Sequence, residues 1–111
     1  MGKTVSFTSD KWGGTVTFHD PLTMEQEAAW EYAIAAFQSA REKGGGLSAQ
    51  NLALLPGVIA CVETWNLKGF PERITLENFP TRPKDERAKL IAWLVTNITE
   101  LYMESVDVPN G

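Results

Sequence analysis

Two stretches of the sequence are apolar around more of their helical circumference than one packing face requires. A helix that buries a single face against a core needs an apolar stripe about 100° wide. In the stretch 24–43 the apolar face and its flanks comprise Trp30, Ala33, Ile34, Phe37 and Ala40, with Met24, Ala28, Tyr32, Ala35 and Ala36. In the stretch 83–105 they comprise Ile91, Leu94, Ile98, Leu101 and Tyr102, with Leu90, Trp93 and Val95. This surface must be covered by other elements or by another protein, because large exposed apolar patches promote aggregation.

The ends of the first of these helices are marked by capping residues. Thr23 precedes the helix and, with Gln26 three residues later, has the spacing of a capping box. Three glycines, 44–46, follow Lys43 and are typical of a helix end. The sequence therefore predicts a helix over 24–43.

A second helical stretch is predicted over 48–66, with a break at Pro56. Proline removes a backbone donor and clashes with the preceding turn, so we expect two short helices or one kinked helix, over 48–55 and 57–66. The residues that keep one apolar helical face across the break are Leu55, Val58, Ile59, Val62 and Trp65. Pro83 suits the first position of the last helix, predicted over 83–105.

Ahead of the helices, the segments 3–8 and 14–18 alternate polar and apolar residues and are rich in β-branched types, which predicts a hairpin over 3–18. An isolated hairpin is only marginally stable, so it must lie on the helices, pair with another chain, or both. The length fits one domain, 1–111. The expected class is mainly α (α+β): a small bundle of three to four helices with an N-terminal β-hairpin.

Composition and charge exclude several classes of function. Ten Lys and Arg against fourteen Asp and Glu give a net charge of −4 and a pI near 4.9, which argues against non-specific nucleic-acid binding. No apolar run approaches the roughly 18 residues that a membrane span needs. A single cysteine excludes an intrachain disulfide. We expect a soluble intracellular domain that binds neither nucleic acid nor a membrane.

No group of residues indicates catalysis, a metal site or a cofactor. His19 is the only histidine and lies at a strand end, where a polar surface residue is ordinary. Cys61 lies in an apolar helical segment and is expected to act as a small core residue. Positive charge concentrates at the start of the last helix, at Arg82, Lys84, Arg87 and Lys89. We interpret this cluster as a solvated first turn rather than a phosphate site.

The wide apolar faces leave two interpretations open. Either one helix is surrounded by the others in a small bundle, or the surplus surface binds a protein, by self-association or by holding a client in a groove. Trp and Tyr favour the second slightly, because both are enriched at interface anchors. The candidate partner-binding residues are Trp30, Ile34, Phe37, Trp65, Ile91, Leu94, Ile98 and Tyr102.

A resemblance to a known family rests on short motifs spread along the chain. A strand pair leads through Asp-Pro-Leu-Thr, 20–23, into a long helix. Later come Trp-Asn-Leu at 65–67, Gly69, Pro71 and Thr-Leu-Glu-Asn-Phe-Pro at 75–80, followed by a helix and a tail with Pro-Asn. In this arrangement the chain resembles small proteins of tailed bacteriophages, especially the tail assembly chaperones of siphophages.

That resemblance implies a non-enzymatic holdase that works in the host cytoplasm. Proteins of that family bind the tape measure protein and help the tail tube polymerise around it, and they have no catalytic residues. The expected partners are therefore the tape measure or tail tube protein, together with further copies of the chain. Two alternatives remain: a structural virion protein, such as a head–tail connector or tail completion subunit, and a phage protein that binds a host protein.

Overall fold

The computed structural model describes residues 3–70 and 72–106 of the chain. These residues contain a three-stranded antiparallel sheet and three α-helices, joined by loops. In chain order the elements are β1 (Lys3–Ser9), β2 (Gly14–Asp20), α1 (Met24–Glu42), α2 (Leu47–Cys61), β3 (Val62–Asn66), a 3-10 turn (Phe79–Thr81) and α3 (Lys84–Val106). The strands lie in the order β1-β2-β3, so β2 is central. The fold is a small α+β domain.

The predicted N-terminal hairpin is confirmed. Strands β1 and β2 pair over seven residues each without a register shift, and the pairing ends with Ser9 opposite Gly14. Gly13 in the turn has a φ of +64°, a left-handed conformation that glycine adopts without a Cβ clash. Gly14 lies so close to β3 that a Cβ there would be 1.8 Å from the Asn66 carbonyl oxygen. Gly13 therefore helps to reverse the chain, and Gly14, the first residue of β2, lets β3 approach β2.

The predicted bundle of three to four helices is wrong, because residues 62–66 form a third strand rather than the end of a helix. Val62, Thr64 and Trp65 are β-branched or aromatic, and these types favour strands. Thr64 lies opposite Thr17 of β2. The spacing of the apolar residues over 55–65 fits one continuous helical face. It fits equally well a helix that ends at Cys61 and is followed directly by a strand. Pairing with β2 decides between the two, because β2 would otherwise leave an edge unpaired.

The capping box predicted before α1 is confirmed. The Thr23 hydroxyl accepts a hydrogen bond from the Gln26 backbone N–H at 3.1 Å, and the Gln26 side-chain oxygen accepts one from the Thr23 N–H at 3.0 Å. The helix ends at Glu42, and Gly44 follows with a φ of +81°. Local sequence thus sets both ends of α1.

Helix α2 continues through Pro56 as one helix, so of the two predicted alternatives the two short helices are wrong, whereas a kink at Pro56 stays a prediction. The proline is exposed. Gly57, the next residue, is buried against α1, and a Cβ on it would lie 2.5 Å from the Ala33 Cβ. This close approach joins α2 to α1, and α2 is the central helix because it also contacts α3 and β3.

Helix α3 supplies more of the core than α1 does. The buried apolar residues of α3 are Leu90, Ile91, Leu94, Ile98 and Leu101, whereas those of α1 are Trp30 and Ala33. The inner face of the sheet completes the core with Val16, Phe18 and Val62. Within the described part of the chain, no helix combines the length and the apolar character needed to cross a bilayer.

Candidate functional site

Four of the eight predicted partner-binding residues lie inside the core. They are Trp30, Ile91, Leu94 and Ile98, each at most 2% exposed. In this conformation almost none of their side-chain surface is available to a partner. Any role of theirs in binding stays a prediction, which would require the fold to open.

The other four, Ile34, Phe37, Trp65 and Tyr102, are half-buried and pack against the core. The Trp65 indole N–H donates to the Phe70 carbonyl oxygen at 2.7 Å, which engages its polar end within the fold. The Tyr102 hydroxyl donates to a Glu31 carboxylate oxygen at 2.6 Å, and this hydrogen bond is the main cause that raises the pKa of Tyr102 above its ordinary value.

A shallow cleft between α1 and α3 brings together three of the predicted residues. Its volume is about 250 Å³, and its lining comprises Trp30, Glu31, Ile34, Ala35, Gln38 and Tyr102. The carboxylate of Glu31 lies at this cleft and is already hydrogen-bonded to Tyr102. The cleft therefore offers a partner a small apolar patch next to one acidic group.

A more enclosed apolar groove, which the sequence did not predict, lies between the start of α2, the 3-10 turn and the first turns of α3. Its volume is about 210 Å³. Leu55 and Phe79 are buried in it, whereas Leu47 and Leu52 on α2 are 54% and 57% exposed. The remaining lining residues are Ser48, Asn51, Pro80, Lys84, Arg87 and Ala88. We call this feature the α2–α3 groove.

The two ionisable side chains that line the α2–α3 groove are both cations. Arg87 donates from Nη1 to the Pro80 carbonyl oxygen at 2.6 Å, which ties the 3-10 turn to α3. Lys84 is exposed and takes part in none of the ion pairs found among the described residues. Nearby Glu86 is paired with Arg82 at 3.3 Å, outside the groove lining. The groove is thus a cationic site on a chain of net charge −4.

The loop that carries Phe79 into the groove is held by its own side chains. Asn78 accepts from the Thr75 N–H at 2.8 Å, and the Thr75 hydroxyl accepts from the Asn78 N–H at 3.0 Å. Arg82 lies over the Phe70 ring at 4.3 Å and donates to the Gly69 carbonyl oxygen at 3.0 Å. Because both ends of this loop are fastened, Phe79 and Pro80 form a fixed wall of the groove.

Cys61 occupies a setting that does not activate its thiol for attack on a substrate. Cys61 is buried, which raises the pKa of its thiol to about 12, and its S–H lies 3.7 Å from the Gln26 carbonyl oxygen. A thiol with such a pKa stays protonated near neutral pH, and the thiolate is the nucleophilic form. His19 Nε2 lies 3.2 Å from Glu63, whose other oxygen accepts from the Gln26 amide at 2.9 Å.

Two signals of the groove were present in the sequence. Positive charge at Lys84 and Arg87 is visible there, but it fits a solvated helix turn equally well. Leu47 and Leu52 belong to a helix whose apolar residues are not confined to one face, so periodicity does not distinguish them from core residues. The missing information was the position of the loop that carries Phe79, which only tertiary structure supplies.

Comparisons with protein families, with characterised proteins and with solved structures give no match for this chain. The α2–α3 groove and the residues that line it are therefore the features of the chain that bear most directly on function.

Proposed function

We propose that the protein is a non-enzymatic binding factor that holds an apolar helical segment of a partner protein in the α2–α3 groove. The observation that supports this most strongly is the pair of half-exposed leucines, Leu47 and Leu52, beside a buried apolar floor. A helix docks in such a groove through apolar anchors at helical spacing. Burying a fully exposed leucine contributes roughly 1.5–3 kcal/mol, so completing the burial of one that is about half exposed contributes about half of that.

The charge of the groove defines the partner further. Lys84 and Arg87 favour a segment in which an acidic residue flanks the apolar anchors. Charge complementarity of this kind speeds association and selects among partners more than it adds affinity. Moderate affinity suits a factor that must later release its client.

The resemblance to tail assembly chaperones gives this proposal a specific form. The client would be the tape measure protein or the tail tube protein, held in the host cytoplasm before the tail tube assembles. A tape measure is long, helical and apolar on one face, which matches the segment that the groove would accept.

Co-expression with the tape measure and tail tube proteins tests the proposal. The wild-type chain should co-purify with one of them. Leu52→Asp should weaken that binding about tenfold or more, because it removes an apolar anchor and places a carboxylate in the interface. The matched control is Met103→Asp on α3, at a residue that is similarly exposed (55%) and lies outside the groove.

These experiments test two points separately: whether the chain binds a tail protein, and whether the bound client occupies the α2–α3 groove. If the wild-type chain captures neither tail protein, the tail chaperone assignment is wrong. If Leu52→Asp and Met103→Asp bind as tightly as the wild-type chain, the client does not occupy the groove. Lys84→Glu should reduce binding of an acidic client more at low salt than at high salt, because salt screens exposed charges.

A further inference from the structure

The two outer strands of the sheet differ in how their edges are covered. Among residues 3–70 and 72–106, β1 pairs with β2 alone, so its other edge carries no partner strand. At the opposite edge, Arg73 donates to the carbonyl oxygens of Val62 and Glu63, both in β3. A register shift between Thr17 and Phe18 further interrupts the pairing of β2 with β3.

Strand β1 carries few of the features that keep an exposed edge from pairing. Natural edge strands are often short, bulged, interrupted by proline or rich in inward-pointing charge. β1 has seven residues, pairs with β2 without a register shift, contains no proline and has one charged residue, Lys3, at its start. Its apolar residues, Val5 and Phe7, pack against the core but are only half-buried.

We propose that β1 is a self-association edge, at which a second copy of this chain adds its own β1 in antiparallel orientation about a twofold axis at Ser6. The result is a continuous sheet of six strands, three from each copy. The occupant is a second copy because the β1 sequence is complementary to its own reverse in this register.

The side chains on both faces of the sheet match in this register. On the core side, Val5 of one copy lies opposite Phe7 of the other, and such aromatic and β-branched pairs stabilise neighbouring strands. On the outer side, Thr4 lies opposite Thr8. This continues the hydroxyl contacts already present between β1 and β2, where Ser6 and Thr17 are 2.9 Å apart.

Other registers that keep the faces matched pair fewer residues. An axis at Val5 places Phe7 opposite the charged Lys3, and an axis at Phe7 places Val5 opposite Ser9. Each pairs five residues of the strand instead of the seven that an axis at Ser6 pairs. The alternation of the strand therefore selects Ser6 as the centre.

Charge also favours two copies in this arrangement. Lys3 is the charged residue of β1, and antiparallel pairing places the two lysines at opposite ends, roughly 20 Å apart at about 3.3 Å per residue. That separation exceeds the Debye length of about 8 Å at physiological salt, so the two lysines hardly repel each other. Each lies opposite Ser9 and beside the exposed Asp10 of the other copy.

Sedimentation of the purified full-length chain over a concentration series tests the proposal. The mass should rise from 12.3 kDa towards twice that value. Ser6→Lys should weaken the dimer by about fivefold or more, because it sets two like charges directly opposite each other. Thr64→Lys is the matched control: Thr64 is an exposed hydroxyl residue near the opposite edge, on β3. It should dimerise as the wild-type chain does.

Mixing the Ser6→Lys and Ser6→Glu chains should restore the dimer, because opposite charges then face each other at the axis. As a second measurement, Ser6→Cys should form an intermolecular disulfide on oxidation, whereas Thr64→Cys should not. This readout remains if Ser6→Lys fails to fold. The buried Cys61, common to both chains, is not expected to react.

A wild-type mass of 12.3 kDa at every concentration, with no disulfide in Ser6→Cys, overturns the proposal. So does equal dimerisation of folded Ser6→Lys and Thr64→Lys, because the interface would then lie elsewhere. The α2–α3 groove shares no residue with β1, so client binding and self-association succeed or fail separately in these tests.

Discussion

Helices α1 and α3 look alike in the sequence, since both are apolar well beyond one face, yet the fold uses them differently. α3 buries five large apolar residues, whereas α1 buries Trp30 and Ala33 and leaves Tyr32 81% and Met24 83% exposed. α1 packs along one side of α2, and its outer side is left uncovered by the described residues. The width of an apolar face therefore does not show how much of it the core takes up.

The largest expected effects distinguish the two helices directly. Leu94→Ala on α3 should lower the free energy of unfolding by about 2–5 kcal/mol, because a fully buried leucine leaves a cavity when truncated. Tyr32→Ala on α1 should change it by no more than about 0.5 kcal/mol, as is usual for exposed positions. Urea unfolding of both variants measures the difference.

Comparable losses of stability in the two variants would contradict this account of the helices. A large cost for Tyr32→Ala in the isolated chain would mean that the outer side of α1 is covered in solution. A second copy is the available cover, and sedimentation of the Tyr32→Ala chain at the concentration of the unfolding experiment would show it.

Local signals in the sequence predicted the parts of the fold that depend on neighbouring residues. The hairpin follows from alternation in β1 and β2, and the start of α1 follows from the reciprocal hydrogen bonds of Thr23 and Gln26. The third strand could not be read in the same way. Val62 and Trp65 continue a helical spacing, and only the distant edge of β2 makes the extended conformation the better one.

The candidate site was less predictable than the fold, for a related reason. Periodicity ranked Leu94 and Ile98 as possible binding residues, but it carries no information on which neighbours will cover them. Leu52, by contrast, lies on a helix whose apolar residues are not confined to one face, and it stays half-exposed beside Phe79 at the rim of the groove. Both outcomes depend on packing between segments far apart in the chain.

A second, smaller effect is expected at the contact that holds α1 to α2. Gly57→Ala should destabilise the fold by up to about 2 kcal/mol, because overpacking costs about 1–3 kcal/mol and the gain in helix propensity offsets about 1 kcal/mol of it. The new methyl group would meet the Ala33 Cβ at 2.5 Å and the Trp30 ring at 3.1 Å. Thermal unfolding measures the loss.

Ala33→Gly provides the control for this contact, because it removes the methyl group that the new one would strike. In that background Gly57→Ala should cost clearly less than it does in the wild-type chain. An equal cost in both backgrounds would place the strain elsewhere and weaken the argument that close packing on α2 fixes α1.

The smallest expected effect concerns the hydrogen bond that joins the two helices directly, from Tyr102 on α3 to Glu31 on α1. This bond, burial and the charges of Glu31 and Glu27 raise the pKa of the phenol above its ordinary value of 10.0.

The tyrosinate absorbance of the wild-type chain, minus that of Tyr102→Phe, should titrate with a midpoint above 10.0. Glu31→Gln should lower that midpoint, because it removes the negative charge. A wild-type midpoint at or below 10.0 would show that the two helices do not share this bond in solution.

The sign of the accompanying change in stability follows from the raised pKa. In the unfolded chain Tyr102 loses its proton near pH 10, whereas in the folded chain it keeps the proton to higher pH. Its contribution is therefore fully present below pH 10 and is lost as the pH rises through the folded-state pKa. The stability difference between the wild-type chain and Tyr102→Phe should shrink over that window, and a difference that grows with pH would mean that the ionised phenol is the form favoured between α1 and α3.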